Sequence, residues 1–266
     1  KMNLENFVNI INTELGQINH EIAHSHKLND FTVHNVKQVV LPEVHIQLKI
    51  PNKLYNARRF YKIRPSWVEN KISMARNPSY YQYCINHIEI EDGLWAEFGV
   101  KFGKSAKILK KIKKDKFPHL KKPYFGFDSF EGFPEDTEWG TKGTLTTNGA
   151  IPDVDGAYFY KGWFKDTIPE FNSAHSGPLA LLHVDCDIYS STVEVLEGMK
   201  EKIVSGTVIL FDDMLSYSQG SNLWVGEQHE FKAFMEFVEK YNVDYQWIAS
   251  VTNASQVACK IINIDM

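Results

Sequence analysis

LWAEFGVKFGKSAKILKKIKKDKFPHLKKPYFGFD, residues 94–128, decides the fold. LWAEFGV is an apolar run of strand length that stops at a glycine turn. KSAKILKKIKK then carries one apolar stripe and a lysine face, as a helix packed on one side does. PYFGFD is a second strand, ending at Asp128. The alternation continues downstream. AYFYKGW is a third strand, followed by a short helix opened by DTIPE. LALLHVDCD is a fourth strand, and the helix STVEVLEGMKEKI follows it, with Ser191 and Glu194 spaced as a capping box. GTVILFDD is a fifth strand and GEQHEFKAFMEFVEKY a further helix. DYQWIAS and QVACKIIN close the chain as two strands joined by a turn at Thr252–Ser255. Strands alternating with helices predict an α/β, doubly wound, mostly parallel sheet covered on both faces, with an antiparallel C-terminal pair.

Outward from this domain, placed at residues 86–266, residues 1–85 form a leader of a helix and an arm. Leu4, Val8, Ile11, Leu15, Ile18 and Ile22 recur at spacings of four and three, an amphipathic helix. That seam either packs on its own domain or makes a homodimer contact. Residues 31–50 alternate around Pro42 as a hairpin or extended arm, and a helix is expected near WVENKISMA. His20, His24 and His26 have a spacing seen in metal sites, but solvated histidines at an exposed helix end are the commoner case.

Composition narrows the function classes. The 266 residues are 43% hydrophobic and 23% charged, values of a globular chain rather than a disordered one. Lys plus Arg number 29 against 33 Asp plus Glu, a net charge of −4 that argues against nucleic acid as partner. The lysine run KILKKIKKDK is therefore better read as a solvated helix face than as an RNA grip. No apolar run has the ~18 residues of a membrane span, so no membrane partner is expected. KMNLENFVNIINTEL lacks the apolar core of a secretory signal. Cys84, Cys186 and Cys259 are scattered and odd in number, which suits a reducing, cytoplasmic location.

The segment from Glu97 to Ser105 lies between the first strand and first helix, where a doubly wound sheet admits a ligand. Gly99 can turn with positive φ and let a ligand approach the backbone, and Gly103 permits close approach at the helix start. A phosphate loop would need its first glycine where Phe98 stands, and a dinucleotide loop would need glycine at Lys101. Gly103-Lys104-Ser105 still fits the end of a phosphate loop, a minor alternative, and E-x-G-x-x-x-G-x-S is the form seen at the cofactor loop of S-adenosylmethionine-dependent methyltransferases. Asp128, at the end of the next strand, can accept both ribose hydroxyls of an adenosine, although such an aspartate also forms turns.

Asp185 and Asp187 close the fourth strand, and Asp212 and Asp213 the fifth. In a parallel sheet these ends face one side, so the four carboxylates are expected to converge. Crowded like charges require a proton or a cation, and all-oxygen donors select a hard ion such as Mg²⁺. Helix capping without any metal is the alternative. Cys186, between two aspartates, is expected to be packed rather than reactive.

WAEFGVKFGKSA, YFGFDSFEGFPE, YKGWFKDTIP, HVDCDIYSST and GTVILFDDM occur in an order and spacing that resembles the macrocin O-methyltransferase family. The likeness covers roughly residues 90–240. It implies a Rossmann-like class I fold and transfer of a methyl group from S-adenosyl-L-methionine to a hydroxyl, notably of a sugar, with Mg²⁺. It further implies metal ligation by Asp185, Asp212 and Asp213, and general-base work by Asp187. Glu97, Gly99 and Ser105 would surround the methionine part of the cofactor, and Asp128 its ribose. Gly162 and Trp163 would border the adenine, while Gly103, Ser129 and Asp185 complete the expected cofactor residues. A small molecule or saccharide is the expected partner. Catechol-type enzymes place a lysine three residues after the first metal aspartate, and here that residue is Ile188. His229 stands where the family's arginine is expected, as a substrate contact or a solvated helix residue. Trp139, Trp163 and Trp224, and the polar loop 136–156, are candidates for holding a sugar ring.

Overall fold

The computed structural model describes residues 78–137, 140–214, 229–250 and 255–265. By compactness the chain divides into Lys1–Trp67 and Val68–Met266. The expected N-terminal seam, arm, WVENKISMA helix and leader histidines, with Trp139 and Trp224, lie outside the described residues.

The second unit opens with helix α1 (Pro78–Ile85), then β1 (Leu94–Phe98), α2 (Lys104–Lys116), β2 (Tyr124–Asp128) and β3 (Ala157–Lys161). It continues with α3 (Phe164–Ala174), β4 (Leu179–Val184), α4 (Tyr189–Met199), β5 (Val208–Phe211) and α5 (His229–Lys240). Strands β6 (Asp244–Ser250) and β7 (Val257–Asn263) close it. The strand order is β3-β2-β1-β4-β5-β7-β6, parallel through the first five and antiparallel at β5–β7 and β7–β6. The expected α/β sheet with its antiparallel C-terminal pair is present. Strand order reverses between β1 and β4, which opens a crevice at their carboxyl ends.

Side chains of a strand alternate between faces, and parallel register sets their neighbours. One face carries Phe98, Phe127 and Tyr160 in a stack, with centroids 4.4 Å and 4.9 Å apart. Phe171 of α3 meets Phe127 edge-on at 5.2 Å. The opposite face carries Trp95, Leu181 and Leu210 under Tyr80, Tyr81 and Cys84 of α1 and Leu109 and Ile112 of α2. Each buried aromatic of this kind contributes about 1.5–3 kcal/mol. Helix α1, counted from sequence with the leader, thus packs into the core of the sheet.

Two boundaries differ from the sequence expectation. Helix α4 begins at Tyr189 with Ile188 as its N-cap and has no side-chain cap. The capping box at Ser191 is therefore absent. Asp187, at φ 62°, turns the chain sharply after β4, so the helix starts early and leaves Ser191 within its first turn. Helix α3 likewise starts at Phe164, ahead of DTIPE, and carries Pro169 inside it.

Candidate active site

A cavity of about 640 Å³ opens at the sheet's reversal point. That size suits a small molecule. Gly99, Ser105, Asp128, Ser129, Gly162, Trp163, Asp185 and Asp187 all line it. Glu97, Gly103, Asp212 and Asp213 are not among its lining residues.

The glycine loop owes its shape to the sheet. Gly99 sits at φ 93°, and a Cβ there would lie 1.7 Å from the carbonyl oxygen of Asp185. Close approach of the backbone just beyond β4 is enough to exclude a side chain here, and Gly99 also lines the cavity. Gly103, in the left-handed region, caps α2, and a Cβ would press on Pro152 and Val154. Asp128 gathers this loop. Its Oδ2 accepts the amides of Val100 (2.8 Å) and Lys101 (2.7 Å), and its Oδ1 that of Phe130 (2.7 Å). The carboxylate is thus a turn former in this structure, at the wall of the cavity. Phe130, at φ 60°, is a hub, and its carbonyl accepts the amides of Thr147 and Gly149. That ties loop 136–156 back onto the FEGF segment, bringing Lys142 and Leu145 to the cavity.

Beyond β4 and β5 the acidic residues do converge. One carboxylate oxygen each from Asp185, Asp212 and Asp213 lies within 4.8 Å of the others. Three hard oxygen donors in such a group fit Mg²⁺. Asp187 is on the cavity wall beside Asp185, in a left-handed conformation that costs a non-glycine residue energy and recurs at functional sites.

Three neighbours of the cluster were not singled out from sequence. Glu230, in the first turn of α5, is fully buried and accepts the amide of Asp213 through Oε2 at 2.9 Å. Burial, reinforced by Asp213, holds its carboxyl well above the usual range. Gln256 donates to Asp212 Oδ1 at 2.9 Å. His183 lies between Glu97 (3.1 Å from Nδ1) and Asp212 (3.8 Å from Nε2). Burial pulls its pKa down, but Asp212 and Glu97 outweigh that and push it up to about 10. Glu97, His183 and Asp185 also lie within 4.8 Å of one another, a second group of potential ligand atoms that shares Asp185 with the first. His183 was legible, because the period of two puts it on the face of Asp185. Glu230 and Gln256 come from remote elements with no local signal.

Cys186 is buried, its Sγ lies 3.5 Å from Thr192 Oγ1, and burial raises its thiol pKa, as expected for a packed cysteine. Cys84, Cys186 and Cys259 are free thiols. His229 opens α5 and is partly exposed. No helix among the described residues is long and apolar enough to cross a membrane.

The glycine loop, strand-end Asp128, Asp185 and Asp187 border one cavity, and the chain resembles known proteins. Residues 153–246 match the macrocin O-methyltransferase (TylF) family. Over 174 residues the chain is 27% identical to the 8-demethyl-8-(2,3-dimethoxy-α-L-rhamnosyl)-tetracenomycin-C 4'-O-methyltransferase of Streptomyces olivaceus, covering 56% of this chain and 64% of that one. A stretch of 57 residues is 39% identical to the demethyldecarbamoylnovobiocin O-methyltransferase of Streptomyces niveus, 21% of each chain. The chain thus spans less than two thirds of the curated relatives it matches. Among solved structures, the O-methyltransferase NovP superposes with a TM-score of 0.51 at 21% identity, over 70% of this chain and 79% of its own. CalS11, a calicheamicin methyltransferase, gives 0.52 at 15% identity, over 98% and 94%. The fold is the Rossmann-like one of class I O-methyltransferases.

Proposed function

We propose that the protein is an S-adenosylmethionine-dependent O-methyltransferase that methylates a hydroxyl of a sugar or similar polyol with the help of Mg²⁺. One observation carries this reading: the cavity bordered by Gly99, Asp128 and Asp187 shares Asp185 with the Asp185–Asp212–Asp213 cluster. The methyl donor and the acceptor oxygen then meet at one wall. The curated relatives named above, one of them a rhamnosyl-tetracenomycin methyltransferase, support the sugar acceptor.

S-adenosylmethionine supplies an electrophilic sulfonium methyl, and Mg²⁺ supplies Lewis acidity that lowers the pKa of a hydroxyl. Asp185, Asp212 and Asp213 would hold the metal. Asp187, on the cavity wall, would take the acceptor's proton as general base. Ser105, Asp128, Ser129, Gly162 and Trp163 would bind the cofactor on the other side, with Glu97 and Gly103 shaping the loop from behind. The loop bearing Lys142 and Leu145 would contact the acceptor and exclude water.

The test is transfer of a labelled methyl group to a panel of free, nucleotide-linked and aglycone-linked sugars. Activity should vanish with a chelator and return with Mg²⁺. Asp187→Asn should lower turnover about 10²–10⁴-fold, with S-adenosylhomocysteine affinity kept. Failure of the wild type to bind S-adenosylhomocysteine calorimetrically would overturn the reading. Activity indifferent to chelation would remove the metal from it.

A further inference from the structure

A polar row runs across the sheet beneath this site. In β1–β4 register Glu97 stands beside His183, and in β4–β5 register His183 stands beside Leu210. Asp212, two residues beyond Leu210, and Asp185, two beyond His183, fall on the same face. All of Glu97, His183 and Asp212 are at most 3% exposed. Glu97 Oε1 is shared by the Ser105 hydroxyl, at the start of α2, and by His183 Nδ1. His183 Nε2 faces Asp212, which Gln256 also holds. The ring of Tyr81 from α1 packs edge-on against His183, with centroids 5.8 Å apart. The imidazole here bridges two buried carboxylates, 3.1 Å from Glu97 and 3.8 Å from Asp212, with the Tyr81 ring against it. One of these carboxylates supports the cavity's glycine loop through Ser105, and the other belongs to the acidic cluster.

Resting on the function proposed above, we propose that His183 is a positioning residue. Clamped between Glu97 and Asp212, it links the cofactor loop to the acidic cluster, so that filling one site changes the affinity of the other. A ligand that shifts Ser105 and Glu97 moves the ring, and the ring moves Asp212. Such coupling is reciprocal: the metal must change cofactor affinity by the same factor as cofactor changes metal affinity.

S-adenosylhomocysteine is the suitable probe, because its neutral thioether, unlike a sulfonium, has no charge at sulfur to interact with a cation. Its dissociation constant is measured by calorimetry on the whole chain with and without saturating Mg²⁺, and Mn²⁺ binding is read by electron paramagnetic resonance with and without it. The wild type should show a coupling factor of about fivefold or more. His183→Asn keeps a donor towards Glu97 but not the reach to Asp212, and His183→Gln keeps the reverse. Each should bring the factor close to one. A merely structural role would lower thermal stability or both affinities while leaving their ratio unchanged, and that result overturns the proposal. A wild-type factor of one overturns it without any variant. If the wild type binds neither probe, the functional reading itself falls. If it binds both but the variants keep the ratio, only the role of His183 falls.

Discussion

At the scale of single residues, the site is held by groups whose roles differ from those their types suggest. Gly99 is required by the backbone just beyond β4, which passes against it, whatever ligand the cavity takes. Gly99→Ala would place a methyl group on the Asp185 carbonyl in a backbone region that alanine disfavours. We expect a loss of at least ~2 kcal/mol, measured by urea unfolding, with S-adenosylhomocysteine binding weakened because Asp185 is displaced. A variant as stable as the wild type would sink that account. Asp128 was legible as a strand-end acid, but its three amide bonds depend on loop geometry that no spacing reveals. The left-handed conformation of Asp187 likewise leaves no mark in the residue string, since asparagine and aspartate tolerate that region at many turns.

Among the elements, α2 offers a pH test. Its lysine stripe is mostly solvated, as the pattern predicts, but Lys113 is buried and its ammonium donates to the carbonyls of Lys122 and Pro123. Burial, reinforced by the charge of Lys122 and partly offset by Asp92, lowers its pKa to about 8. Unfolded lysine titrates at about 10.4. Below pH 8 both states hold the proton and the penalty is constant. From pH 8 towards 10.4 the folded state releases its proton first, so the unfolded state holds more protons and stability rises with pH. The wild type should therefore gain on Lys113→Met between pH 7 and 9.5 in paired denaturant titrations. A flat difference across that window would rule the shift out. Strand and helix types were legible from periodicity throughout this region. The start of α4 was not, because the turn at Asp187 overrode the local capping signal.

For the molecule as a whole, ligand binding and folding are linked. A cofactor that binds only the folded chain stabilises it by about 2.7 kcal/mol at a hundred times its dissociation constant. For a domain of this size that is a rise in Tm of about 5–10 °C. S-adenosylhomocysteine should produce it in scanning calorimetry, with a further rise on adding Mg²⁺ that Asp213→Asn abolishes. A melting temperature indifferent to both would contradict the site. The acidic cluster itself draws on β4 and β5, with Glu230 and Gln256 closing in from α5 and the approach to β7.

Hydrophobic periodicity alone determined that strands and helices alternate here, because a sheet covered on both faces needs apolar runs of strand length between one-sided helices. It also determined that Asp185 and Asp212 reach one end of the sheet, since parallel strands share a direction. Only the tertiary structure decided what surrounds them. Lateral register set Glu97 beside His183, and long-range packing brought Tyr81 of α1 onto His183, Gln256 onto Asp212 and Glu230 onto Asp213. Such neighbours are chosen by the free energy of burying paired charges across the whole sheet, a quantity no local stretch of residues contains.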